Sequence, residues 1–177
     1  MQGIGKFLTV AATAGAFFMA ASAVAAERAP GVIYNNKGDK IGTVKVTDAP
    51  QGVLLRLEAS GLPAGWHGLH VHAKGDCSDA SFTSAGAHVH AGDEKAVHGL
   101  LNKDGNEAGD LPNIHVGTDG NVQAELYSSL LSVDGSGDRP ALRDDDGSAL
   151  IIHENVDDHL TQPIGGAGAR IGCAIIP

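Results

Sequence analysis

Five histidines and an aspartate carry the chemistry this sequence suggests. His70 and His72 stand two apart in Gly68-Leu69-His70-Val71-His72, among aliphatic residues that favour a β-strand. Side chains alternate faces along a strand, so both imidazoles point the same way. Two imidazoles on one face of a stiff element make half of a transition-metal site. His153 ends a second apolar run, Leu150-Ile151-Ile152-His153, where a strand would deliver a side chain to a site. Three imidazoles with no thiolate or thioether beside them suit a borderline metal that changes oxidation state, copper above all. His88, from Ala87-His88-Val89-His90, forms a second group with His98 and Asp110. Two imidazoles and a carboxylate on a closed loop suit zinc.

The elements that must position these groups are short and β-rich. Val32 to Asn35 and Ile41 to Thr47 flank the turn Asn36-Lys37-Gly38-Asp39 and read as a hairpin, with Val44 and Val46 inward. Val53, Leu55, Leu57 and Ala59 alternate with Leu54, Arg56 and Glu58 in a third strand. Trp66 to Ala73 is the histidine strand. Asn113 to Val116 and Asn121 to Tyr127 flank Asp119-Gly120 and read as another hairpin; Ala149 to His153 and Ile171 to Ile176 complete the set. No stretch shows helical periodicity. About eight short strands separated by turns predict an all-β, antiparallel Greek-key sandwich or flattened barrel. Two long loops, Lys74 to about Pro112 and Glu154 to Ala169, hold or flank the candidate ligands. Structureless stretches of that length in a compact domain are usually functional or disordered, and here metal and a disulfide would order them. Function on loops held by a rigid scaffold fits that pattern.

Composition narrows the class. A positive start at Lys6, an apolar run from Phe7 to Val24 and the small residues Ala23-Val24-Ala25 predict a secretory signal peptide over residues 1–26. An uncleaved membrane anchor is the alternative. Removal after Ala26 leaves residues 27–177 as one domain in the periplasm or outside the cell. The whole chain has 12 basic and 21 acidic residues; removing Lys6 leaves 11 against 21, a net charge of −10. That balance argues against nucleic acid and anionic membranes as partners. Four aromatics remain, Tyr34, Trp66, Phe82 and Tyr127, so the core must be aliphatic. For two cysteines, Cys77 and Cys173, in an exported protein, one disulfide is the default. Two free thiols, or half of a zinc site, are the alternatives.

In order along the chain, Gly68-Leu69-His70-Val71-His72, Gly75-Asp76-Cys77, Ser84-Ala85-Gly86-Ala87-His88, Gly109-Asp110-Leu111, Ile152-His153-Glu154 and Gly165-Gly166-Ala167-Gly168-Ala169-Arg170, closed by Cys173, resemble the copper,zinc superoxide dismutase family, of the bacterial exported type. The resemblance covers about residues 31–176; each piece is weak alone, and the set is specific. It implies copper on His70, His72, His88 and His153, with His88 also reaching zinc beside His98 and Asp110. It implies that Arg170 receives the anionic substrate, that Asp157 links a copper histidine to a zinc histidine, and that Cys77 and Cys173 form the disulfide pinning the metal loop to the last strand. One position departs. Where the family usually has a third zinc histidine, three residues before the aspartate, this chain has Glu107. Either Glu107 ligates zinc through oxygen, or His90 or His115 substitutes, or the zinc site is weak or vacant.

The implied activity is dismutation of superoxide to oxygen and hydrogen peroxide, with copper cycling between Cu(II) and Cu(I) and His88 releasing and regaining the metal as it takes up and gives back a proton. The resemblance leaves monomer and homodimer both open. Lys74, Lys95 and Lys103 are candidates for attracting the anion alongside Arg170. A copper-only dismutase without zinc and a copper-binding module without turnover are the competing functions; an arginine for substrate speaks against the second. The remaining histidines read more plainly: His67 as a hydrogen-bonded structural residue, His90 as structural, His159 as solvated in an acidic loop, and His115 as facing solvent or a neighbouring loop. Trp66 reads as core packing, and Asp144-Asp145-Asp146 as a solvated loop.

Overall fold

The computed structural model describes residues 28–92 and 95–177; the expected signal peptide lies outside the described residues. Eight strands form one antiparallel sheet: β1 Gly31–Asn35, β2 Lys40–Ala49, β3 Gly52–Ala59, β4 Gly65–His72, β5 Asp110–Val116, β6 Val122–Ser128, β7 Ala149–His153 and β8 Arg170–Ile175. Their spatial order is β5-β4-β7-β8-β1-β2-β3-β6. The end strands β5 and β6 lie against one another, so the sheet curls into a nearly closed barrel. Among the described residues the only helical turns are two short 3-10 turns, Thr83–Ala85 and Ser136–Asp138.

Alternation decides what each strand buries. Val53, Leu55, Leu57 and Ala59 of β3 face the interior, as does Val44 of β2. They meet Ile33, Leu69, Val71, Leu111, Ile114, Val116, Leu150 and Ile152 in one aliphatic core. Each such side chain contributes on the order of 1.5–3 kcal/mol by leaving water. Strand β7 is apolar on both faces, because it is covered on both. Leu150 and Ile152 enter the main core, while Ala149 and Ile151 pack outside the barrel against Phe82, Ala85 and Cys173. The segment carrying Phe82 and Ala85 thus lies over the outer face of β7 and β8. By the same alternation His153 projects outward with Ile151, and His70 and His72 project opposite to Leu69 and Val71. The face that carries these histidines is therefore the outside of the barrel wall, roofed by the two long loops.

Three sequence expectations are corrected. The strands flanking Asp119-Gly120 are not a hydrogen-bonded hairpin. β5 pairs with β4 and β6 with β3, and only the turn is closed, by Gly117 N–H to Asn121 O at 2.9 Å. This turn straddles the seam of the barrel. Strand β5 also begins three residues earlier than expected, at Asp110, and tolerates exposed Pro112 because it pairs on one side only. Trp66 is not in the core: it is 56% exposed and packs its edge on His115, its register partner in β5, with ring centroids 4.9 Å apart.

Candidate metal centre

Strand β4 presents His70 and His72, and three neighbours bring the rest. β7 pairs with it in the register His70 to Ile151, which carries His153 to the same end. β8 pairs with β7 so that Arg170, its first residue, stands across from His153. On the other side the chain segment 87–89 joins the end of β4: Ala73 N–H donates to Ala87 O at 2.8 Å, and Val89 N–H to Val71 O at 2.9 Å. Gly109 closes the junction, donating to Val89 O at 2.8 Å and accepting from Val71 N–H at 2.8 Å. A Cβ there would stand 2.2 Å from Val71 O, so only glycine lets His88 and Asp110 approach β4 together.

The four imidazoles of His70, His72, His88 and His153 share one pattern. Each is buried, and each has one anchored ring nitrogen and one without a partner. His72 Nδ1–H donates to Gly86 O at 2.9 Å, His153 Nδ1–H to Gly168 O at 3.2 Å, and His70 Nε2–H to Asp157 Oδ2 at 2.8 Å. The other nitrogens, His70 Nδ1 and Nε2 of His72, His88 and His153, are buried with no hydrogen-bond partner. The four residues offer donor atoms within 4.8 Å of one another. Buried polar atoms are rarely left unpaired, and four converging ones describe a place for a cation. Anchoring one nitrogen as N–H fixes the tautomer and leaves the lone pair on the other. Burial, reinforced by repulsion from His88, holds His72 down to about 2. Burial and the neighbouring His70 hold His153 down to about 3, and burial lowers His70 as well. All three shifts favour the neutral ring, the form whose lone pair can bind a metal.

The second group is built of opposite charges. His88 Nδ1 lies 2.7 Å from Glu107 Oε2 and 2.9 Å from Asp110 Oδ1. His98 Nδ1 lies 3.1 Å from Glu107 Oε2 and 3.0 Å from Asp110 Oδ1. Burial alone would lower His98, but the hydrogen bonds its ring donates to Asp110, Asp157 and Glu107 overcome it and push it up to about 11. The same balance raises His88. Against burial, which would raise them, hydrogen bonds to His88 and His98 hold Glu107 and Asp110 below their usual values. His70 also lies within 4.8 Å of the His88, His98 and Asp110 donors. Its Nε2 is engaged by Asp157 and its Nδ1 is unpartnered, which places it with the first group. His90 Nδ1 approaches only His88 O, at 3.5 Å, and His115 packs on Trp66; neither is brought to the group.

Asp157 spans the two groups, accepting from His70 on Oδ2 and from His98 Nε2 on Oδ1 at 3.1 Å. The backbone around it is held by Asn113 of β5, whose Oδ1 accepts from Asp157 N–H at 2.9 Å and whose Nδ2 donates to Asp157 O at 2.8 Å. Asn113 carried no sequence signal beyond its place three residues after Asp110. His159 also departs from expectation. Its side chain is only 16% exposed, and its backbone N–H donates to Asp157 Oδ1 at 2.6 Å. Arg170 is half-buried. Its Nη1 donates to Phe82 O at 2.6 Å and its Nη2 to Gly86 O at 2.8 Å, the same oxygen that anchors His72. Burial lowers its pKa, with Asp79 acting in the other direction. The disulfide Cys77–Cys173, with Cα atoms 5.9 Å apart, ties the loop that supplies these carbonyls to β8. Lys74 is exposed with its stem over Gly86, and Lys103 pairs with Asp104.

The chain and its eight-stranded barrel match known proteins. The family model for copper/zinc superoxide dismutase (SODC) matches residues 40–176. The chain belongs to that family. It is 56% identical over 148 residues to superoxide dismutase [Cu-Zn] of Caulobacter vibrioides, covering 84% of each chain. It is 39% identical over 145 residues to superoxide dismutase [Cu-Zn] 1 of Aquifex aeolicus, covering 81% of this chain and 84% of that one. Among solved structures, a superoxide dismutase-like protein from Bacillus subtilis superposes with a TM-score of 0.77 at 35% identity, over 84% of this chain and 97% of that one. The Cu/Zn superoxide dismutase from Brucella abortus superposes with a TM-score of 0.66 at 26% identity, over 84% and 99%. The copper/zinc family uses both metals, and the two histidine groups here are the places that could hold them.

Proposed function

We propose that His70, His72, His88 and His153 hold copper and that His88, His98, Asp110 and Glu107 hold zinc, in an enzyme that converts two superoxide anions and two protons to oxygen and hydrogen peroxide. The family assignment makes the chain a superoxide dismutase using copper and zinc. The observation that carries the residue assignment is the set of four buried, unpartnered imidazole nitrogens facing one another beside a guanidinium. Copper supplies the one-electron couple when bound, and zinc a fixed positive charge.

The chain's own residues do the rest. Gly86 O, Gly168 O and Asp157 fix the rings of His72, His153 and His70, so the donor set is formed before a metal arrives. His88 faces both groups, with Nε2 toward the copper set and Nδ1 toward the carboxylates. Its Nε2 is the atom placed to take up and return a proton while Nδ1 stays held. Arg170 presents a cation that remains charged at any working pH to an incoming anion. Since the mature chain repels anions at long range, attraction is local, with Arg170 at its centre and Lys74 beside Gly86. Glu107 replaces a neutral imidazole by a carboxylate, so two anions face zinc instead of one.

Residues 1–26 are read as a cleaved export signal, which places the domain 27–177 in the periplasm or outside the cell, where Cys77 and Cys173 oxidise. The decisive experiment is metal analysis of protein purified from the exporting compartment, joined to an assay of superoxide loss. Two metals per chain and a copper-dependent rate are expected. Copper-loaded protein with no rate above buffer would reject the enzyme reading, and one metal per chain would reject the zinc assignment.

A further inference from the structure

His98 lies in no strand and no helical turn, yet both of its backbone polar groups are paired. Its N–H donates to Gln162 Oε1 at 3.0 Å, and its O accepts from Gln162 Nε2 at 2.8 Å. One side-chain amide thus offers an acceptor and a donor to the two backbone groups of one residue, as an opposed residue does in an antiparallel ladder. The same Nε2 reaches Leu160 O at 3.3 Å, which orients the amide. Two further contacts follow the same direction. Leu101 N–H donates to His159 O at 3.1 Å. Gly99, at φ +119°, passes so close to His159 that a Cβ would lie 2.2 Å from its O. At the ring, Asp157 takes Nε2 at 3.1 Å, which leaves Nδ1 for Asp110 and Glu107. Asp157, His159 and Gln162 all belong to the loop 154–169, and His98, Gly99 and Leu101, which they meet here, belong to the other long loop.

We propose that Gln162 is a positioning residue for the zinc side: its amide fixes the His98 backbone, so the loop 154–169 sets how tightly zinc is held. This rests on the reading that His88, His98, Asp110 and Glu107 hold zinc. The copper side depends on this loop only at the rings, through Asp157 on His70 and Gly168 O on His153, because the backbones of His70, His72 and His153 sit in the barrel's own ladders and make no bond to Gln162.

Gln162→Leu tests it, removing both amide bonds at an exposed position. Thr161→Ala is the control: it removes a hydrogen bond to Asp158 within the same loop and leaves the amide untouched. Zinc affinity is measured by competition with a chromophoric chelator, and the visible bands of Co2+ loaded in place of zinc report the geometry. Both are recorded for the unaltered protein, the two variants and His98→Ala. Gln162→Leu is expected to weaken zinc by about tenfold to a hundredfold, the range for losing an outer partner of a metal ligand, and to shift the cobalt bands. Copper affinity should hold, and Thr161→Ala should match the unaltered protein. Zinc affinity and cobalt bands unchanged in Gln162→Leu would overturn the proposal. Equal weakening by Thr161→Ala would overturn it too, since loop order in general would then be the cause. Zinc bound equally by the unaltered protein and His98→Ala would instead reject the zinc assignment itself.

Discussion

The two proposed metal groups share His88 and are built by different means. The copper side is made of strands. Three of its proposed ligands lie on β4 and β7, burial holds their rings below the usual histidine pKa, and two of the three are oriented by backbone carbonyls. The zinc side is made of loops. His98 and Glu107 lie in the segment between β4 and β5, Asp110 opens β5, and the groups that hold them are charged. A barrel wall fixes donor positions through its cooperative ladder, whereas a loop fixes them only as well as its individual side-chain bonds. Donors on the copper side should therefore keep their places in the metal-free protein, and those on the zinc side should depend on their counter-charges.

His88→Ala should have the largest effect, since it removes a donor from both groups; loss of zinc, impaired copper binding and a rate of superoxide loss near that of buffer are expected. Equal copper loss in His98→Ala would break the distinction between the sides, because that variant should lose zinc and keep copper. Arg170→Ala should retain both metals and lower kcat/KM by about one to two orders of magnitude, with a weaker dependence on ionic strength, as expected when a steering cation is removed. Glu107→Ala should weaken zinc by more than the roughly hundredfold that loss of an outer partner can cost, and Glu107→His should restore binding. Equal zinc binding in Glu107→Ala would remove that residue from the set.

The smallest effect is a pH profile of the metal-free protein, read as the urea midpoint. His72 and His153 have folded pKa values of about 2 and 3 against an ordinary 6.5. Below pH 6.5 the unfolded chain binds protons that the native rings refuse, so stability falls as the pH falls. His98 works the other way. Its value of about 11 adds stability that is fully present below 6.5 and is lost as the pH rises toward 11. Glu107 and Asp110, held low, add stability above their ordinary range and lose it in acid. The midpoint should therefore peak near pH 6.5, with the copper side responsible for much of the acid limb and His98 for the alkaline one. In His98→Ala the alkaline limb should flatten.

The strands were legible because alternation is local: β3 and β7 begin within one residue of where the pattern puts them, and both end where it does. The His70/His72 pair was legible for the same reason. Pairing partners were not. Asp119-Gly120 is a good turn signal, but which strand each arm joins is decided by closure of the barrel elsewhere. Trp66 could have been read correctly. Counting by twos from His70 puts it on the outer face, past the cover of the loops. The brackets around the zinc side, Asn113, His159 and Gln162, left no trace, since bonds that a loop makes to another loop or to a strand edge outside the ladder have no period to detect.

One oxygen atom has a mechanical consequence. Gly86 O receives both His72 Nδ1–H and Arg170 Nη2–H. If the disulfide-tethered segment drifts, the ring and the guanidinium are carried along together, as two hooks on one rail. The gap between the His72 ring and the Arg170 guanidinium is thereby insulated from motions of the segment that forms it.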